Sequence, residues 1–373
     1  MKRIAEFLLD RIEANDFPSA VYLVAEKGEV VLREALGLAV VEPERIAAGV
    51  DTIYDLASLT KPLITGLLIA KLIEEEKLPL EGRVAIYLKE FDIEGKRAIT
   101  ILDLLTHTSH LPAWKPFYLC VSDPAEVVAE IGSSPLDFLH EPVTYSDLNF
   151  ITLGAVVERL NQAHFAEVAC AEVFDPLNLK RTFFNPPGRF RKDIAASEMG
   201  NEFEKQMCID LGYLPPAATG NGTGDFRDYQ IWGEAHDGNA HFMGGVSGHA
   251  GLFSTVDEVF EVAQQFLPRY TTLLKTETCG RFRTNFTEKM NEDRSLAFQL
   301  ASTKNSSAGA GMSSESFGHN GFTGTSAWID PVRERVFILL TNRTHNHELP
   351  FVNLNTVRRR FHDLAIDFLD KNI

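Results

Sequence analysis

A serine and a lysine stand three residues apart in the stretch Tyr54-Asp55-Leu56-Ala57-Ser58-Leu59-Thr60-Lys61-Pro62, where a long apolar helical pattern begins. With Leu59 opening a helix, Ser58 occupies its N-terminus and Lys61 follows one turn on, so both side chains project from one edge. Unpaired amide N–H groups at a helix start favour negative charge, which suits a serine that becomes alkoxide-like during attack. Pro62 is tolerable only in such a first turn, because it has no N–H to donate to the carbonyl of Ser58. The chemistry on offer is nucleophilic attack by Ser58, with Lys61 as its proton partner. A Ser-x-x-Lys spacing is also frequent by chance, since serine caps helices and lysine covers them. The rest of the chain decides its weight.

Two further stretches answer the needs of Ser58. Thr144-Tyr145-Ser146-Asp147-Leu148-Asn149-Phe150 presents a tyrosine and a carboxylate on a loop just before a helix. Phe317-Gly318-His319-Asn320-Gly321-Phe322-Thr323-Gly324 runs glycine-rich into a strand. Glycines there let another backbone approach, and such an edge can offer an N–H to a developing oxyanion.

The elements that must position these residues follow from periodicity. Ile4, Phe7, Leu8 and Ile12 recur at helical spacing, and the helix they define ends before Pro18. The runs 20–25 and 29–34, joined at Lys27-Gly28, read as a hairpin. The Ser58 helix is expected to run to about Lys77. Between residues 80 and 239 helical patterns at 101–105, 124–131, 149–160 and 167–173 are separated by Pro- and Gly-bearing loops. Residues 214–237, with Pro215, Pro216, Gly220, Gly222 and Gly224, read as a long irregular connection. Beyond it, glycines near 244–251 imply close backbone packing beside a short strand, and 256–266 is helical. Residues 304–315 read as a flexible Ser/Gly-rich loop. A second hairpin, 325–329 and 335–341, turns at Asp330-Pro331, and 357–369 is an amphipathic terminal helix. The expected fold class is therefore α+β, with one antiparallel sheet built from both chain termini and flanked by helices. Residues 1–373 form a single domain in which 1–79 and 240–373 make an α/β subdomain and 80–239 an inserted all-helical one. A ligand cleft is expected between them.

Composition narrows the partners. The 373 residues are 45% hydrophobic and 24% charged, ordinary for a globular protein, and the net charge of −16 disfavours nucleic acid or an anionic membrane surface. Cys120, Cys170, Cys208 and Cys279 form no C-x-x-C pair, which reads as reduced, mostly buried thiols. Met1-Lys2-Arg3 opens like a signal peptide, but Glu6, Asp10, Arg11 and Glu13 interrupt any apolar run. The expected compartment is the cytoplasm.

With these residues placed, the chain resembles the serine β-lactamase and penicillin-binding-protein superfamily, on the side holding class C β-lactamases, D-aminopeptidases and β-lactamase-like carboxylesterases. That superfamily orders S-x-x-K, then Y-x-N or S-x-N, then K-T-G or H-T-G on a strand. Here the counterparts are Ser58-Leu59-Thr60-Lys61, Tyr145-Ser146-Asp147 and His319-Asn320-Gly321. Asp103-Leu104-Leu105-Thr106-His107-Thr108-Ser109 and Gly248-His249-Ala250-Gly251-Leu252-Phe253-Ser254 resemble flanking family segments, and the likeness runs from about residue 19 to the last helix. The resemblance implies an acyl-enzyme on Ser58, hydrolysed by water, with Tyr145 completing a proton relay with Lys61. Which of Lys61 and Tyr145 is the base stays open. It also implies an oxyanion hole from the N–H groups of Ser58 and Phe322, with His319 orienting a substrate carboxylate or the tyrosine. Two departures bear on substrate. Asp147 replaces the usual Asn, exchanging an amide donor that would help hold a substrate amide for an acceptor, which disfavours efficient β-lactam or peptide turnover. Asn320 replaces the usual Thr.

The remaining histidines carry no metal reading: His236 with His241, and His345 with His347, lack a ligand set at metal spacing. His107 and His110 read as structural, and His249 as fixing a turn. Glu234, His236, Asp237 and Asn239 either line the cleft or sit on a solvated loop; Trp114, Phe117 and Tyr118 wall an acyl pocket or simply pack. The expected function is a serine hydrolase acting on a small-molecule ester, amide or β-lactam, foremost a carboxylesterase on small esters, without a cofactor. The alternatives are a β-lactamase or D-amino-acid peptidase, and a catalytically silent binding protein of the same fold.

Overall fold

A computed structural model describes residues 2–215 and 226–371. Pro216, Gly220, Gly222 and Gly224 of the expected irregular connection lie outside the described residues. The strands are β1 (Ser19–Glu26), β2 (Glu29–Val40), β3 (Ile46–Ala47), β4 (Tyr54–Asp55), β5 (Phe183–Phe184), β6 (Leu252–Ser254), β7 (Gln299–Leu300), β8 (Phe317–Asn320), β9 (Ser326–Asp330) and β10 (Arg335–Thr341). Seven of them form one antiparallel sheet in the order β3-β2-β1-β10-β9-β8-β7. The two chain ends meet at its centre, where β1 pairs with β10 from Ala20↔Thr341 to Glu26↔Arg335. Lys27 and Gly28 both take positive φ, the two-residue turn that matches strand twist in a tight hairpin.

Side-chain alternation along the central strands assigns the layers. Val21, Leu23 and Ala25 of β1, with Val336, Ile338 and Leu340 of β10, enter the main core beside Leu63, Ile64, Leu67 and Val259. Ala20, Tyr22 and Val24, with Phe337 and Leu339, face the other way onto Ile4, Leu8, Phe361 and Leu364. Burial on both faces explains why these strands read as continuous apolar runs. The helices Lys2–Glu13 and Asn355–Lys371 cover one face, and the layer carrying Ser58 lies on the other.

Three expectations need correction. The Ser58 helix is not one α-helix from Leu59. A 3₁₀ turn spans Ala57–Leu59, a π-helical stretch spans Lys61–Gly66, and regular α-helix covers only Leu67–Glu74. Pro62 removes a ladder donor, and Gly66 lies so close to Ala297 that an added Cβ would stand 2.7 Å from its methyl. The loop 304–315 has no regular structure but is pinned rather than free. Arg359 Nη2 donates to Ser306 O at 2.9 Å, His362 Nδ1 to Ser307 O at 2.9 Å, and Ala310 N to Asp363 Oδ1 at 2.7 Å. Of the cysteines, Cys208 and Cys279 are buried, Cys120 is half-buried and Cys170 exposed, all as free thiols.

A second, three-stranded sheet, β4-β6-β5, ties the Ser58 segment to the later chain. Leu56 N donates to Leu252 O at 2.8 Å, just before the serine. The glycine signal near 244–251 has its cause here. A Cβ on Gly248 would lie 2.2 Å from Phe150 O and 3.0 Å from Gly154 Cα, so this loop touches the helix Asp147–Asn161 backbone to backbone. Gly248→Ala should therefore destabilise the fold by about 1–3 kcal/mol through overpacking, read as a lower urea midpoint with unchanged slope.

Candidate active site

Ser58 is held from both sides of the fold. The buried Asp55 carboxylate accepts from Ala57 N (2.8 Å) and His236 N (2.8 Å), and Thr323 Oγ1 donates to Asp55 O at 2.7 Å. Thr325 Oγ1 reaches Leu56 O at 3.0 Å. Ala57 has φ +48°, a left-handed conformation that costs a residue with a Cβ about 1–2 kcal/mol. No sequence pattern announces that bend. It presents Ser58 at the junction of two cavities of about 450 and 290 Å³, both also lined by Tyr145 and Phe322.

Lys61 is fully buried, and its ammonium is surrounded by oxygen. Nζ stands 2.9 Å from Ser58 Oγ, 3.0 Å from His249 O and 2.7 Å from Asp147 Oδ1. Burial by itself would lower the pKa of Lys61, but Asp147 and then Tyr145 outweigh it, and the net direction is up. The Tyr145 hydroxyl is within hydrogen-bonding reach of Lys61 and Ser58; burial raises its pKa more than Lys61 lowers it, so it is a neutral phenol at rest. A carboxylate oxygen of Asp147, one of Asp237 and a ring nitrogen of His249 lie within 4.8 Å of one another. The cation they face is Lys61.

Tyr145 is placed by the histidine that follows the helix Ile101–Thr106. His107 takes the left-handed cap position at φ +61°, its Nδ1 accepts from Ser146 N at 3.0 Å, and its ring lies 4.6 Å from that of Tyr145. Ser146 precedes the helix that Asp147 begins without a side-chain cap bond to it, and Ser146 Oγ donates instead to Pro112 O at 2.6 Å. On the far side, His319 on β8 lies 5.7 Å from the Tyr145 ring and turns Nδ1–H to Asn320 O at 2.8 Å. Burial, with Arg294 and Lys61 nearby, holds both imidazoles well below the usual histidine pKa. They are neutral, and with Nδ1–H spent on Asn320 O the Nε2 of His319 can accept a hydrogen bond but cannot donate one to a substrate carboxylate, which corrects that expected role.

Gly321 explains the last element. A Cβ there would lie 2.0 Å from Thr325 Oγ1 and 2.5 Å from Leu56 O, so only glycine lets this edge abut the backbone before Ser58. Asn320 Oδ1 instead accepts from Ser307 Oγ at 2.9 Å, which also accepts from Trp328 Nε1. The fold thus brings Ser58, Lys61, Tyr145, Asp147, His319, Gly321 and Phe322 together, with Asn320 on the strand beside them.

Several residues at the site were not singled out by sequence. Arg294, Arg343 and Arg358 all line the larger cavity with Ser58. Arg294 pairs with Glu292 through Nη2 at 3.0 Å, while its buried Nε and Nη1 have no partner among the described residues. Arg343 Nε donates to Phe322 O (2.6 Å), and Arg358 Nη2 to Gly321 O (2.9 Å) and Thr325 O (3.0 Å), all neutral carbonyls. Burial lowers Arg343 to about 10 and Arg358 to about 9, the direction expected of cations that lack a counter-ion. In the smaller cavity Ala113, Trp114, Phe203, Met207 and Phe322 make an apolar wall, so Trp114 belongs to the pocket, whereas Phe117 is core. His236 and Asp237 also line it. His249, read as a turn residue, bonds Asp237 Oδ1 at 2.9 Å and Ser247 Oγ at 2.7 Å, and supplies the carbonyl on Lys61. His236 pairs with buried Glu198 at 2.7 Å, and His345 bridges Ser197 O and Val41 N, so neither is free for a metal.

The fold thus sets Ser58, Lys61 and Tyr145 together beside one antiparallel sheet. The Beta-lactamase family model matches residues 4–358, and the chain belongs to that family of serine hydrolases. It is 30% identical over 360 residues to an Escherichia coli (strain K12) protein named "Putative D-alanyl-D-alanine carboxypeptidase", covering 88% of this chain and 79% of that one. Among solved structures it is similar to EstCE1, described as a hydrolase with promiscuous acyltransferase activity (TM-score 0.72, 20% identity, 97% of this chain and 98% of that one). It is equally similar to a class C beta lactamase from Rhodobacter sphaeroides (TM-score 0.71, 18% identity, 99% and 100%). At such identities the structures establish the fold alone. Among the described residues no helix is long and apolar enough to cross a membrane.

The two neutral imidazoles make a stability prediction. Their folded pKa lies below the unfolded value near 6.5, so the unfolded chain protonates first and stability falls as pH drops below about 6.5. Each such histidine contributes a slope of at most about 1.4 kcal/mol per pH unit. His319→Asn should flatten the pH dependence of urea unfolding between pH 5 and 6.5 relative to the unsubstituted chain.

Proposed function

We propose that the protein is a serine hydrolase that works through an acyl-enzyme on Ser58, on peptides or esters that carry a carboxylate near the scissile carbonyl. The observation that carries this reading is the group of three arginines beside Ser58: among the described residues Arg343 and Arg358 have no anionic partner, and Arg294, paired with Glu292 through Nη2, has two unpartnered nitrogens. Buried guanidinium groups that lack counter-ions are matched by a substrate anion. The relative named for D-alanyl-D-alanine carboxypeptidase activity is consistent with it. In this reading Ser58 Oγ attacks, Lys61 and Tyr145 move its proton, and the N–H groups of Ser58 and Phe322 hold the oxyanion. The apolar cavity walled by Trp114, Phe203 and Met207 takes the acyl side chain. Residues 1–79 and 240–373 then act as one subdomain and 80–239 as the other, with Ser58 at their junction.

A second reading, a carboxylesterase on neutral small esters, is supported by that same apolar cavity. Turnover of p-nitrophenyl butyrate, nitrocefin and a D-alanyl-D-alanine-terminated peptide separates the two. Ser58→Ala should abolish all turnover. Arg294→Gln should lower kcat/KM on the carboxylate substrates by roughly 10- to 100-fold, the loss of a charged hydrogen bond, and leave p-nitrophenyl butyrate within about 2-fold. Equal effects on charged and neutral substrates would favour the neutral-ester reading.

A further inference from the structure

We propose that Asp147 is the terminal proton acceptor of the acylation step, reached from Ser58 through Lys61. This rests on the acyl-enzyme reading above and adds to it the destination of the serine proton. Three observations lead there. Lys61 Nζ spans Ser58 Oγ at 2.9 Å and Asp147 Oδ1 at 2.7 Å, so one nitrogen touches both the donor and a carboxylate. Asp147 Oδ1 is buried and ion-paired to Lys61, with no other hydrogen-bond donor on it among the described residues. The other candidate, Tyr145, is a half-buried phenol whose pKa desolvation raises, so it can relay a proton but carries no charge that would store one.

An ammonium cannot accept the serine proton, and an asparagine at position 147 would leave a buried lysine to lose its proton by desolvation alone. The carboxylate supplies another route. Lys61 hands one proton to Asp147 Oδ1, giving an amine beside a carboxylic acid, an exchange that removes two opposite charges from a dry site. The amine takes the Oγ–H proton of Ser58 as the Oγ–carbon bond forms and the carbonyl electron pair moves onto oxygen. At that point Lys61 is again an ammonium, Asp147 is neutral, and the negative charge sits on the oxyanion. When the tetrahedral intermediate collapses, the leaving group takes a proton from Lys61, and Asp147 returns its own to the lysine. No proton is gained or lost overall.

The groups that face this pair are Tyr145 on its own loop, Asp237 and His249 from the loop before β6, and Glu204 behind Asp237. Arg294, His107 and His319 stand around Tyr145. Asp237 is held ionised against burial by His249, and Glu204 is pushed up to about 7 by burial and Asp237.

The test is the pH profile of kcat/KM with p-nitrophenyl butyrate for the unsubstituted chain, Asp147→Asn and Asp147→Glu, with Ser58→Ala as the control. The readout is the acid limb of that profile in the unsubstituted chain. In Asp147→Asn it should move up by two or more pH units, a loss of about 100-fold or more at pH 6 that narrows toward pH 10. Asp147→Glu should restore the low limb. An Asp147→Asn limb that superimposes on the original, whatever the rate, would overturn the proposal. If Ser58→Ala keeps its turnover, the acyl-enzyme reading itself fails. If Ser58→Ala is inactive and the limb does not move, only the role of Asp147 fails.

Discussion

The structure depends on how it keeps one charge dry. Lys61 is fully buried, and an isolated ammonium in that position would be forced neutral or would not fold. It is kept by Asp147 at 2.7 Å, by His249 O at 3.0 Å and by Ser58 Oγ at 2.9 Å. Those partners come from the first turn of one helix, the start of a second and a glycine loop some 190 residues further on, so the ammonium is also where three parts of the chain are registered against one another. Around it nearly every other titratable group has been neutralised or paired. His107 and His319 are uncharged, and Asp237 is bonded to His249.

The opposite side of Ser58 has the opposite arrangement. Arg343 and Arg358 spend their hydrogen bonds on backbone carbonyls, which positions the guanidinium groups but does not cancel their charge. The cleft therefore has a polarity: a compensated proton-handling side, an uncompensated cationic side, and an apolar wall. Substrate choice in the proposed function follows from that asymmetry more than from the exchange of Asn for Asp at position 147. Asp147 is engaged with Lys61, so the substrate-holding role expected of an amide there has a competitor already in place.

Much of this was legible in the sequence, for local reasons. Alternation in 20–25 and 335–341 marks strands because each face of the sheet is buried, and Lys27-Gly28 marks a turn because it needs positive φ. The order of Ser58, Tyr145 and His319-Asn320-Gly321 carries the family. What was not legible is what arises only on closure. The π-helical register after Lys61 answers to Gly66 against Ala297, and the left-handed Ala57 answers to Asp55 and the β4–β6 pairing. Arg294, Arg343 and Arg358 sit among ordinary polar and amphipathic patterns, and nothing in a chain of letters distinguishes Arg343 and Arg358, which lack a counter-ion among the described residues, from solvated arginines. His249 carried a signal, lying in a glycine-rich stretch, but its carbonyl rather than its ring makes the contact with Lys61.

The central claim is that Lys61 is an ammonium in the resting enzyme, held so by Asp147. Lysine side-chain nitrogen-15 NMR, with the Lys61 resonance assigned from Lys61→Met, measures that charge directly across pH 6 to 10. The account predicts an ammonium shift that persists through pH 9. A neutral-amine shift near pH 7 would contradict it.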